Sequence, residues 1–136
     1  MRNLYSAIWM SHIQAAKNNK DPKVRDGWKL TVWFVMSSFN VMNFVTIIFT
    51  LQCFLDFKYS VVDYFGIQHY ISSGLAGFVD YGLLFYVLGY FCFFYKDRYK
   101  KLLPKYGINK RLGLWYMYIS VVLFFAMLVL TAVYSI

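Results

Sequence analysis

Apolar or amphipathic residues recur at Met1, Leu4, Tyr5, Ile8, Trp9, His12, Ile13 and Ala16, a three-and-four spacing that places them on one stripe of a helix. Arg2, Asn3, Ser6, Ser11, Gln14 and Lys17 fall on the opposite side. A helix with an aromatic face and flanking cations either lies in a headgroup plane or packs on the protein's own cytosolic surface. Residues 18–26 are polar, contain Pro22 and read as a linker. Residues 1–29 are therefore expected to form a cytoplasmic amphipathic interfacial helix followed by a basic linker.

The pattern then changes to long apolar runs. Residues 30–55 carry no charge until Asp56, residues 71–95 are interrupted by Asp80 and several glycines, and residues 112–134 are apolar on every side. Each run reaches the roughly 20 residues a helix needs to span hydrocarbon. Between the first two runs, residues 56–70 are too mixed to span and read as an outer loop. Residues 96–111 form a basic loop. These features predict an all-α polytopic membrane protein with three transmembrane helices and an N-terminal amphipathic interfacial helix.

Composition agrees, since 60% of the 136 residues are hydrophobic and 23% are aromatic, more apolar surface than a soluble fold this small could hide. The net charge of +8, from 14 Lys and Arg against 6 acidic residues, would suggest a polyanion partner in a soluble protein. Beside these apolar runs it instead orients the chain, because short cation-rich loops stay cytoplasmic. Six cations precede the first run and seven follow the second, against Lys58 alone in the outer loop. The N-terminus is thus expected inside, uncleaved for want of a signal-peptide pattern, and the C-terminus outside. Trp28, Trp33, Tyr95, Tyr99, Trp115 and Tyr116 mark the inner edge, with Phe57, Tyr59, Tyr70 and Tyr134 at the outer.

Leu4-Tyr5 with Ile8-Trp9, Gly27-Trp28-Lys29-Leu30, Asn43-Phe44 leading to Leu51-Gln52, and Asp97-Arg98-Tyr99-Lys100-Lys101-Leu102-Leu103 resemble a group of small three-span membrane proteins of Bacteroidetes-type bacteria. The resemblance covers most of the chain in short motifs. It implies a bacterial inner-membrane home and the same span order, and it carries no activity.

Asp80 is the residue that most invites a functional reading, because a carboxylate inside a span is costly and faces a partner, a cavity or the bundle interior. It either reaches headgroups and outer-loop donors or lies on an ion or proton path. Asn40, Asn43, Thr46 and Thr50 fall within one arc of the first span, and inward counting from the outer ends sets Asp80 level with Thr46 to Thr50. An Asp–Thr–Asn contact is therefore expected, serving as interhelical glue or as pore lining. Gly77, Gly82 and Gly89 offer small faces for close helix packing. Lys96, Arg98, Lys100, Lys101, Lys105, Lys110 and Arg111 form a set able to bind anionic lipid or an anionic ligand. Duplex nucleic acid is not an expected partner.

Catalysis has little support: the chain lacks Glu, places His12 and His69 on opposite sides of the membrane, and holds no nucleophile motif, phosphate loop or metal-ligand spacing. No cofactor or metal is expected. Cys53 and Cys92 lie near opposite ends of successive spans, too far apart for a disulfide. The leading expectation is a homo-oligomer that makes or regulates an ion or small-solute pathway, gated by an anionic cytosolic ligand, with antiviral defence as one context. The alternative is a structural or accessory subunit of a larger envelope or polysaccharide-handling membrane complex.

Overall fold

The computed structural model describes residues 3–55, 58–67, 69–106, 109 and 111–134. Arg2, Phe57 and Lys110 therefore lie outside the described residues. Of the described residues 85% are helical and none lies in a strand. Among the described residues three helices are long and apolar enough to cross a membrane: α3 (Trp28–Leu55), α5 (Ser73–Asp97) and α7 (Leu112–Tyr134), each with an 18-residue stretch of mean hydropathy 1.7, 1.5 and 2.3 respectively. The chain is a multi-pass membrane protein.

Local chemistry sets the boundaries. Helix α1 (Leu4–Lys17) starts where the Asn3 side chain accepts the Ser6 amide and stops where the Asn18 amide donates back to Ala16 and Gln14 carbonyls. Short α2 (Pro22–Asp26) has Asp21 as its N-cap and Pro22 at its first turn, where a missing amide proton costs nothing. In the connection after α3, Ser60 caps α4 (Val61–Tyr64). Helix α6 (Tyr99–Tyr106) carries the basic segment to α7.

Helix α3 is the hub, packing against α5 on one side and α7 on the other. Helix α1 runs back along it, with the Tyr5 hydroxyl at Asn40 and the Lys17 ammonium over the Trp28 ring. Of the two placements open to this helix from its sequence, it takes packing on the protein, and more deeply than an amphipathic stripe suggests. Trp9, Met10 and Ile13 are fully enclosed, and Ser6 and Ser11, on the side read as polar, are buried as well. The core lies here, where Trp9 stacks on Phe93 at 4.5 Å and Phe94 and Tyr99 close around Trp28.

Helix α5 is the irregular span. Phe78–Gly82 and Tyr90–Phe94 wind as π-helix, and the span ends in a left-handed pair, Lys96 (φ 51°) and Asp97 (φ 54°). Backbone carbonyls along it receive side-chain donors from elsewhere. Trp33 Nε1 donates to the Tyr86 carbonyl (2.8 Å), Ser37 Oγ to Phe85 (3.4 Å), Tyr59 Oη to Asp80 (3.1 Å) and Arg98 Nη1 to Phe91 (3.1 Å). Such donors give carbonyls of an irregular span a partner where hydrocarbon supplies none.

Candidate functional site

The two asparagines of the α3 polar stripe meet tyrosines. Asn40 Nδ2 donates to the Tyr5 hydroxyl (2.8 Å), the Tyr116 hydroxyl donates to Asn40 Oδ1 (2.6 Å), and Asn43 Nδ2 donates to the Tyr116 oxygen (2.8 Å). One relay of four side chains thereby ties α1, α3 and α7 together, and Asn40 is almost wholly buried. Burial is the main cause raising the Tyr5 phenol above its ordinary range, so it stays neutral and able to hydrogen bond. Beside the relay, the α7 backbone approaches α1 closely: the Gly113 amide donates to Ser11 Oγ (3.1 Å), and a β-carbon at Gly113 would meet His12 Nε2 at 2.6 Å. Burial pulls the His12 imidazole below its ordinary value, partly offset by the Gly113 backbone.

Thr46 and Thr50 do not join this relay, because their hydroxyls turn back on their own helix, to the Met42 and Thr46 carbonyls. Asp80 does not meet them either. Its Oδ1 accepts the Val62 amide (2.8 Å) and its Oδ2 the Ser60 hydroxyl (3.2 Å). The carboxylate thus sits on the first turn of α4, where unpaired amides favour negative charge. The expected Asp–Thr–Asn contact is absent for a geometric reason. On α3, Asn43 turns to α7, whereas Phe44 turns to α5 and packs on Tyr59, Tyr81 and Phe85. Burial, then the Asp80 charge, raises the Tyr59 phenol.

No family model, curated protein or solved structure matches this chain.

The cations divide. Lys29 and Lys100 both hold Asp97, at 3.2 and 2.8 Å, and that contact raises the Lys100 ammonium. Lys17 and Lys29 lie within about 6 Å of the Trp28 and Tyr99 rings, a cation–π arrangement. Lys96 lies over Tyr95 at 5.3 Å, and Arg98 also faces Tyr95. These five cations therefore share one end of the bundle with α1. Lys101 is exposed, Lys105 lies over Tyr106, and Arg111 borders Trp115 and Tyr118 at the start of α7.

The glycines also divide. A β-carbon at Gly89 would press on Ser37 and Trp9 at 3.0 Å, so this residue does permit close helix packing. At Gly82 the clash would be with Phe78 of the same helix, and Gly77 faces open space, so neither brings a second helix close in this chain. The signals missed in the sequence are Tyr5, Tyr116 and Gly113. Tyr116 matched the interfacial belt equally well, and only knowledge of which helix lies opposite separates a belt tyrosine from a buried donor.

Proposed function

We propose that this protein is an accessory subunit of a larger membrane assembly, seated in the bacterial inner membrane with its basic end and α1 cytoplasmic. One observation carries this reading. Asn40, Asn43, Thr46, Thr50 and Asp80, the residues that would line a path, are all hydrogen bonded within the chain. What α7 presents outward is apolar, at Leu114, Ile119, Leu123, Phe125, Val129 and Val133. A pathway needs unsatisfied polar groups facing a lumen, whereas a helix-binding surface needs apolar faces with few polar anchors.

The outer half supplies one such anchor. Gln52 lines an open groove of about 640 Å³ between α3 and α7, among Val45, Phe49, Phe124 and Leu128, and among the described residues its amide has no hydrogen bond. An apolar helix of a partner protein, carrying a hydrogen-bonding side chain level with Gln52, fits that groove. The test is purification of the tagged chain from its own membranes in mild detergent after crosslinking. A stoichiometric foreign membrane subunit, lost in Gln52→Leu with Phe124→Ala, is the expected result. A discrete homo-oligomer that conducts ions in liposomes would overturn the reading and restore the pathway.

A further inference from the structure

Two openings on the α3–α5 face adjoin, with Trp33 and Tyr90 lining both. One, about 600 Å³, lies at the basic end with Lys29 and Lys96 above Leu30, Trp33, Tyr90 and Phe94. The second, about 630 Å³, shares Trp33 and Tyr90 and continues away from the cations along Phe34, Leu83, Val87 and Phe91. Together they form one surface groove, cationic at its mouth and apolar along its length.

The mouth has cationic charge to spare. Asp97 borders it but is held by Lys29 and Lys100. Two ammonium groups thus share a single carboxylate, and among the described residues Lys96, on the same opening, is in no ion pair. The left-handed pair at Lys96 and Asp97 ends α5 abruptly, and Lys96 and Lys29 line the same opening. The walls are fixed before any ligand arrives, since Trp33 is tied to the Tyr86 carbonyl (2.8 Å) and the Tyr86 hydroxyl to Ser38 Oγ (2.8 Å). Preorganised walls lower the ordering cost of binding.

We propose that this groove holds an anionic phospholipid of the surrounding leaflet, its phosphate at Lys29 and Lys96 and an acyl chain along Trp33, Val87 and Phe91. The phosphate finds donors that already lie at headgroup level, and the chain covers apolar side chains on two membrane-spanning helices. A soluble phosphate would satisfy the mouth and leave the rest of the groove uncovered. The site is distinct from the Gln52 groove between α3 and α7 and does not depend on the accessory-subunit reading.

The experiment is native mass spectrometry of the protein released from vesicles of equal phosphatidylglycerol and phosphatidylcholine. Retained lipid is expected to be enriched in phosphatidylglycerol. Lys96→Asn, which removes the charge but tolerates left-handed backbone, is expected to weaken that retention about fivefold, the value of one cation near an anionic surface. Val87→Trp, filling the groove at an exposed position, should lower retention of both lipids, while Lys105→Gln, outside the groove, should change neither. Equal retention of the two lipids would overturn the proposal. So would an effect of Lys105→Gln as large as that of Lys96→Asn, which would mean diffuse attraction to the basic end. Displacement of bound phosphatidylglycerol by glycerol 1-phosphate as readily as by added phospholipid would likewise overturn it, because the chain would then contribute nothing.

Discussion

At the basic end of the bundle Trp9, Met10, Ile13 and Met36 are wholly enclosed, whereas at the far end Phe54, Leu55, Tyr64 and Tyr70 are mostly exposed. The difference comes from α1. Where it inserts, it contacts α3, α6 and α7 and receives Phe93 of α5, so apolar residues from five elements close one core. Beyond Asn40 only the single turn of α4 joins among the described residues, burying Val62 against α5, and α3 and α7 leave a groove between them. Polar groups follow the same division. Near α1 they bond between helices, as in the Tyr5–Asn40–Tyr116–Asn43 relay. Further out they turn back on their own helix, as at Thr46 and Thr50, or cap a connecting segment, as at Asp80. Around α1 the basic end is built to hold itself together, and the far end is left with the open groove at Gln52.

Replacing Trp9 strikes this contrast hardest. Trp9→Ala removes a fully buried ring stacked on Phe93 and should cost about 3–5 kcal/mol in a detergent unfolding titration. Phe125→Ala, on the exposed face of α7, should change stability little. The glycines give a second contrast. Gly113→Ala forces a β-carbon against His12, with an expected loss of about 1–3 kcal/mol. Gly77→Ala meets nothing and should be neutral or slightly stabilising, because alanine is the better helix former. Circular-dichroism melts of the pair would separate close approach from helix propensity. Smaller still, Asn40→Leu should lose about 1–2 kcal/mol by breaking bonds to two helices. Thr46→Val, losing only a bond to its own helix, should shift the same titration by less. A double-mutant cycle of Asn40→Leu with Tyr5→Phe reads the coupling directly.

The smallest effect is in pH. Burial depresses the His12 imidazole in the folded state, so below about pH 6.5 the unfolded chain binds the proton more readily than the folded one. Stability is then full above that value and declines as pH falls toward the folded-state value. His12→Gln should remove this part of the acid-side decline in a series of melts.

The three spans were legible because run length and hydropathy alone decide whether a segment suits hydrocarbon, and each long apolar run became one, the second despite Asp80. Asn40 and Asn43 were also legible as a polar stripe. Their partners were not, since period-3.6 patterning orders residues within a helix and says nothing of the neighbour each face meets. Tyr116 suits an aqueous interface and a buried relay equally well. Asp80 was found as the costly residue it is, but its donors come from a connection whose path depends on the Ser60 cap and the aromatic packing around Tyr59. The π-helical turns of α5 left no mark in composition, because one extra residue in a turn changes neither hydropathy nor length appreciably. Helix α1 was the most ambiguous, because its serines, Ser6 and Ser11, read as solvent-facing although they are small enough to be buried where another helix comes close.

That ambiguity is where the fold is most directly tested. In a chain carrying Cys53→Ser and Cys92→Ser, Ser11→Cys is placed on the side of α1 that an interfacial helix would turn to water, and Asn19→Cys serves as an exposed reference. The expected result with a water-soluble maleimide in permeabilised vesicles is rapid labelling at position 19 and near-complete protection at position 11, which is 1% exposed and bonded to Gly113. Equal labelling rates at the two positions would contradict the insertion of α1 among the spans, and with it the closed basic end.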